Sequence, residues 1–328
     1  MLKYRVLLVV CTVALALTAS NACADTWRLT DGNDLTTVSG QGSEKFLLAV
    51  ANTKQLVNTG QLSAAKEAYK KLEGDFPEIA GPDFDAFVKA EMFFCEGKFT
   101  RAIRAYDKFL KDYPMSKLYD AAIDREFAVA TAYLGGERKT VLKVIKLKGY
   151  AEGIKIMEKV TDLAGYYSPI GIKAAIAVAE HYEKHHKYDD AYLKWHDIST
   201  HWMVGEIGMQ ALHGMARSQY TAYNDNPEER KPFFDGSRLS IAKTQYEKLQ
   251  LLFPKDAEEI GVADILNRIN EQMAYKQYST ACYYERVGKP QAATLYYDMV
   301  VRNWPDTKAA ELAKEKHTGS LTTTERDK

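Results

Sequence analysis

Residues 60–77 read GQLSAAKEAYKKLEGDFP, and residues 97–114 read GKFTRAIRAYDKFLKDYP. Both carry one phrase: a turn residue, Ala at +5, an aromatic at +9, an apolar residue at +12, an aromatic at +16 and Pro at +17. The copies are Gly60–Ala65–Tyr69–Leu72–Phe76–Pro77 and Gly97–Ala102–Tyr106–Phe109–Tyr113–Pro114. Three more follow. His186–Ala191–Trp195–Ile198–Trp202 has Met203 where Pro would stand; Ser237–Ala242–Tyr246–Leu249–Phe253–Pro254 and Gly288–Ala293–Tyr297–Val300–Trp304–Pro305 are complete. Counted from Ala, the offsets 0, +4, +7 and +11 mark one face of an α-helix. The small Ala admits a neighbouring helix, and the larger residues fill the space between helices. The leading Gly suits the end of the preceding helix, where φ is positive. The closing Pro cannot continue a helix. Each phrase is therefore the second helix of a helical hairpin.

The partner helices lie upstream, at 44–58, 83–96, 117–134, 170–185, 204–223 and 257–287. The first two copies start 37 residues apart and the last two 51, so the later repeats are stretched. Residues 224–235, NDNPEERKPFFD, form a polar insertion broken by two prolines. A degenerate phrase at Gly153–Met157–Val160–Ala164, ending at Pro169, completes six hairpins, the third poorly matched. A lone hairpin has too little core, and stacking supplies the burial. The expected fold is all-α: a superhelical solenoid of about six helical hairpins over 44–316. An extended or irregular lead-in precedes it at 25–43, with Trp27 and Leu29 flanking a turn at Asp31–Gly32, and a polar, disordered tail follows at 317–328.

Hydrophobic residues make up 46% of the 328, enough for an inter-hairpin core. Basic and acidic residues balance at 44 each, and no basic run resembles a nucleic-acid tract, which argues against a nucleic-acid partner. Lys3 and Arg5 precede the apolar stretch Val6–Leu17, the pattern of an export signal at 1–24 and too short for an ordinary membrane span. Two exits compete. Ala22–Cys23–Ala24 before Asp25 fits small-x-small cleavage, and Cys23 is also a candidate lipidated residue. Cys95 and Cys282 read as small buried thiols.

The phrase resembles the tetratricopeptide repeat over about Glu44 to Lys316. Residues 273–306, MAYKQYSTACYYERVGKPQAATLYYDMVVRNWPD, resemble more narrowly the BamD-like outer-membrane assembly lipoproteins. The resemblance lies in Tyr-Tyr-x-Arg-x-Gly, then Ala-Ala, then an aromatic and WPDT. It implies a non-enzymatic periplasmic scaffold of the β-barrel assembly machinery, binding the barrel-forming insertase and incoming substrates, with a lipid on Cys23 as its anchor and no cofactor. Six hairpins where that family has five leave a second reading open: a soluble periplasmic adaptor organising cell-envelope or peptidoglycan machinery.

Candidate chemistry is sparse. His181, His185 and His186, with Glu183 between, have the i,i+4 spacing of a metal pair, but no third ligand stands at fixed spacing, and a solvated helix end is the plainer reading. His196 and His201 read as interhelical or exposed. Asp189–Asp190 fit a helix first turn. No phosphate loop, nucleophile elbow or Cys-x-x-Cys occurs. Phe93, Phe94, Tyr133, Tyr182, Tyr283 and Tyr284 sit on first helices, where Tyr and Arg anchor partner peptides; core packing is the alternative for each. Arg286 precedes the Gly turn of the last hairpin. There it either grips a partner carboxylate through its guanidinium fork or pairs with its own helix dipole.

Overall fold

A computed structural model describes residues 27–29, 35–37, 40–141 and 145–324. The export signal and Cys23 lie outside the described residues. Of the lead-in, two short strands are described, β1 (Trp27–Leu29) and β2 (Leu35–Thr37), paired antiparallel with Trp27 opposite Thr37. The helices then follow in order: α1 (Gly40–Asn58), α2 (Leu62–Asp75), α3 (Pro82–Cys95), α4 (Phe99–Asp112) and α5 (Tyr119–Leu134). A ribbon of β3 (Arg138–Val141) and β4 (Ile145–Lys148) precedes α6 (Tyr150–Ala164), α7 (Pro169–Lys184), α8 (Tyr188–His201), α9 (Gly205–Asn224) and α10 (Ser237–Leu252). The chain closes with α11 (Pro254–Ile260), α12 (Val262–Arg286), α13 (Pro290–Asn303) and α14 (Lys308–Thr324). The fold is all-α, built from six consecutive helical hairpins among the described residues.

Two compact units divide between Ala105 and Tyr106, inside α4. In the first, α1, α2 and α3 pack on one another, and Tyr69 Oη donates to the buried Glu91 Oε2 at 3.0 Å. In the second, packing is between neighbours in sequence. One core cluster joins α7, α8 and the first half of α9 around Trp195; the next joins α9 to α12 around Tyr246; the last joins α12, α13 and α14 around Tyr297.

The repeated phrase supplies these cores. Its Ala is buried in all five copies (Ala65, Ala102, Ala191, Ala242 and Ala293), as are the following aromatic and apolar positions from Tyr69 and Leu72 to Tyr297 and Val300. The second aromatic is half-buried and ends the helix. The backbone N–H of Phe76, Tyr113, Trp202, Phe253 and Trp304 each donates to the carbonyl four residues back, at 2.9–3.0 Å. In the degenerate copy Gly153 takes the Ala place, because even a Cβ would lie 2.9 Å from Leu134 Cδ2. Ala293→Leu should overpack the last cluster and cost about 1–3 kcal/mol. An unchanged melting temperature would show that Ala293 is not wedged between helices.

Turns follow the phrase with two exceptions. Gly60, Gly97 and Gly288 adopt φ of +72°, +68° and +72°, and His186 holds the same turn at +57° without being glycine. Ser237 does not sit in such a turn. It opens α10, and the insertion before it folds as a 3-10 stretch, Glu228–Phe233, tied down by Tyr223 Oη donating to Lys231 O at 2.8 Å. The helix expected over 257–287 is broken. Pro254 starts the short α11, and Gly261 (φ +76°) turns the chain into α12. The tail is helical further than expected, with α14 running to Thr324 against the prediction of disorder from 317. An Ala-rich first half, with Ala309, Ala310 and Ala313 buried, seats it. Glu271 receives its N-terminus, accepting from the N–H of Lys308 and Ala309 at 2.9 and 3.2 Å.

Candidate functional site: the hairpin tips

Five tips share one hydrogen-bond pattern, the first with Gly60 N–H donating to Val57 O and Gln61 N–H to Leu56 O. In the second hairpin Gly97 N–H donates to Phe94 O and Lys98 N–H to Phe93 O. In the fourth His186 N–H donates to Glu183 O and Lys187 N–H to Tyr182 O. In the last Gly288 N–H donates to Glu285 O and Lys289 N–H to Tyr284 O. At the α5 end Gly136 N–H donates to Tyr133 O and Glu137 N–H to Ala132 O. These bonds satisfy the orphan carbonyls of each first helix. Phe93, Tyr182 and Tyr284 are thus the same position of the motif, and Phe94 and Tyr133 the next. Periodicity put these aromatics on first helices; the turn shows why they sit at the tips.

Their fates differ. Tyr133 is buried at 2% exposure and cannot face a partner, which corrects its selection. Its ring lies against Gly149, so a Cβ at Gly149 would lie 2.2 Å from Tyr133 Cδ1. Phe93 and Phe94 are half-buried, Phe94 against Phe99 at 5.6 Å between ring centroids. Tyr182 packs on the Trp195 cluster with Lys187 Nζ 5.8 Å above its ring. At the last tip Tyr284 stacks on Tyr296 (5.4 Å, 13°), while Tyr283 meets it edge-on and is 50% exposed. Glu285 accepts from Tyr297 Oη at 2.9 Å and pairs with Lys316 at 3.1 Å. The Tyr297 bond holds its carboxyl below the usual range, and burial pushes the Tyr297 phenol up. Arg286, the last residue of α12, is exposed and makes no ion pair with a described residue. The last tip therefore presents one free guanidinium beside a fixed pair of tyrosine rings.

The histidine cluster separates. His181 is buried, a correction to the solvated helix end. Its ring packs 5.0 Å from Tyr150 and 4.3 Å from His185, and burial, then His185, lowers its pKa to about 4. Glu183 points elsewhere, accepting from Trp195 Nε1 (3.0 Å), Arg217 Nη2 (2.6 Å) and Ser218 Oγ (2.9 Å). Among the described residues no group of three or more His, Cys, Asp or Glu is arranged to hold a metal ion. Cys95 and Cys282 carry free thiols. His201 stacks on Tyr166 at 4.0 Å.

His186 joins a cavity of about 400 Å³ lined also by Tyr188, Asp189, Asp225, Phe234 and Arg238. His186 Nδ1 lies 2.9 Å from Asp225 Oδ2 and 2.9 Å from Tyr188 Oη. Arg238 grips Asp189 through two bonds of 2.8 Å, and this guanidinium holds the Asp189 carboxyl below its ordinary value. Sequence reasoning missed Tyr188, Asp225 and Arg238. The 224–235 insertion was visible, but what it brings beside the α7–α8 turn was not.

No described helix is long and apolar enough to cross a membrane. Residues 172–320, from α7 into α14, match the family model of YfiO, an outer membrane lipoprotein. A crystal structure of PilW, a widely conserved type IV pilus biogenesis factor, aligns over 81% of this chain and 97% of its own, with 14% identity and a TM-score of 0.29. No curated protein matches the chain. The chain is an all-α protein of consecutive helical hairpins whose residues 172–320 resemble the YfiO outer membrane lipoproteins.

Proposed function

We propose that this protein is a non-enzymatic periplasmic scaffold of the outer-membrane β-barrel assembly machinery, held at the outer membrane by a lipid on Cys23. It docks the barrel-forming insertase and its substrates along its hairpins. The observation that carries the reading is the match of residues 172–320 to the outer-membrane lipoprotein family. That span includes the last tip, where Arg286 is exposed beside Tyr283 and Tyr284 and has no ion-pair partner among the described residues. An unpaired guanidinium next to rigid aromatic area is the composition of an interface hot spot, able to take a partner carboxylate in a bidentate grip.

Affinity capture from envelope extracts under mild conditions tests it. The β-barrel insertase should co-purify with the wild-type chain. Arg286→Ala should reduce its recovery by about tenfold or more, the effect of a ~1.5–2 kcal/mol hot spot. Capture of peptidoglycan or other envelope machinery in place of the insertase would favour the soluble-adaptor reading. Diacylglyceryl on Cys23 in the mass spectrum of the mature N-terminus would support the anchor, and a free Asp25 terminus would remove it.

A further inference from the structure

The cavity between the α7–α8 turn and the 224–235 insertion contains one carboxylate that the helices around it do not account for. Two of the three aspartates in its wall serve helix N-termini. Asp189 lies in the first turn of α8 and takes the Arg238 fork through two bonds of 2.8 Å. Asp235 accepts from the Oγ and the N–H of Ser237, the first residue of α10, and these bonds hold its carboxyl below the ordinary value. Asp225 is placed the other way. It caps the C-terminus of α9, where the helix dipole disfavours a negative charge. His186 Nδ1 and Tyr188 Oη both meet it at Oδ2, at 2.9 and 3.4 Å, and Oδ1 has no hydrogen-bond partner among the described residues. His186 reaches it from a left-handed turn that glycine makes at 60, 97 and 288. Glycine adopts that turn at no steric cost, so the turn itself gives no reason for an imidazole there.

We propose that this cavity binds an arginine side chain presented by a partner protein. Charge selects a cation. The wall carries Asp189, Asp225 and Asp235 against Arg238 as its permanent cation. Lys276, near Asp235, donates instead to the carbonyls of Pro232 and Phe234. The field left over is that of Asp225 and the α9 C-terminus, and both favour a positive ligand. Shape selects a guanidinium. About 400 Å³ holds a long side chain with some of its backbone, and Tyr188, Tyr223 and Phe234 line it. A guanidinium stacks on aromatic faces and forks onto a carboxylate, which a compact ammonium does not. The Arg238–Asp189 pair is such a fork, already made in the same wall. His186 and Tyr188 set the Asp225 carboxylate plane in advance, which lowers the ordering cost of binding. The cavity and the last tip are opposite in charge: Arg286 suits a carboxylate, Asp225 a guanidinium. Neither site depends on the other, and the arginine site stands whether or not an insertase is captured.

Titration of the full chain with N-acetyl-arginine methylamide, followed by amide NMR shifts, tests it. The citrulline analogue has nearly the same shape without the charge. The arginine analogue should shift amides within 186–189, 222–226 and 234–238. It should bind about tenfold or more tighter than the citrulline analogue, the worth of one hydrogen bond to a charged group. Asp225→Asn keeps an acceptor for His186 and Tyr188 and should weaken arginine binding by about tenfold. Phe234→Ala trims a ring that is 37% exposed and should weaken it by about two- to fivefold. That variant serves if Asp225→Asn misfolds. Equal binding of the arginine and citrulline analogues overturns the proposal, as do shifts confined to other residues or undiminished binding to a folded variant. A lysine analogue binding as tightly as the arginine one would also overturn it, in favour of a site for any cation.

Discussion

Trp195→Ala should destabilise the second unit by about 3–5 kcal/mol, the cost of removing a large buried aromatic and leaving a cavity. Trp195 has 0% exposure and sits between α7 and α9, with Nε1 donating to Glu183 Oε1 at 3.0 Å. Close approach of α9 depends on Gly214, where an added Cβ would lie 2.4 Å from Trp195 Cδ2 and Cε2. Gly214→Ala alone should therefore cost about 1–3 kcal/mol, although Ala favours a helix over Gly by about 1 kcal/mol. In the Trp195→Ala background the same change should become neutral or stabilising. A double-mutant cycle read by urea denaturation measures the difference. Additive effects would mean that α8 and α9 do not meet through this pair.

Wild-type stability should change little between about pH 4.5 and 7, and Glu126→Gln should make it rise with pH over that window. Glu126 is fully buried on α5. Lys159 Nζ lies 2.5 Å from its Oε2, and Lys159 also pairs with Asp107. Desolvation outweighs this shared partner and raises the Glu126 pKa from 4.5 to about 7. A raised carboxyl pKa means that the folded chain binds the proton more tightly. Its contribution is complete below pH 4.5 and is lost as pH rises through about 7. Over that window the loss is on the order of 3 kcal/mol. His181 acts in the opposite sense. Its folded pKa of about 4 lies below the ordinary 6.5, so its contribution is complete above 6.5 and disappears as pH falls toward 4. The two slopes oppose each other between about pH 4.5 and 6.5, and the wild-type profile there should be shallow. Glu126→Gln should leave the His181 slope alone, so that stability rises with pH and is retained at pH 8. Urea midpoints measured from pH 4 to 8 decide the matter; a variant profile that runs parallel to the wild-type one would show that Glu126 is ionised in the folded state.

Much of this was legible before any coordinates. The 0, +4, +7, +11 spacing placed Ala191, Trp195 and Ile198 in the core, because a helix face is a local, periodic property that burial must follow. Glycine at 60, 97 and 288 marked the left-handed turns for a similarly local reason. His186 took that turn without glycine because its place was set by the phrase around it. What escaped the pattern was non-periodic. Gly261 broke a helix that apolar spacing alone would continue, and the ribbon at 138–148 hid between two well-read helices.

The sequence by itself determined the all-α hairpin architecture, the core faces and the helix stops, all of which depend on residues within about one turn to one hairpin of each other. Tertiary structure alone decided which tip residues are free. Tyr133 and Tyr284 look alike in sequence, yet one is buried against Gly149 and the other is stacked beside an exposed Arg286. It also brought Asp225 to His186, 39 residues away, and Lys159 to Glu126 from the next helix. Burial and charge pairing at that range are set by which helix packs against which, and no local spacing encodes it.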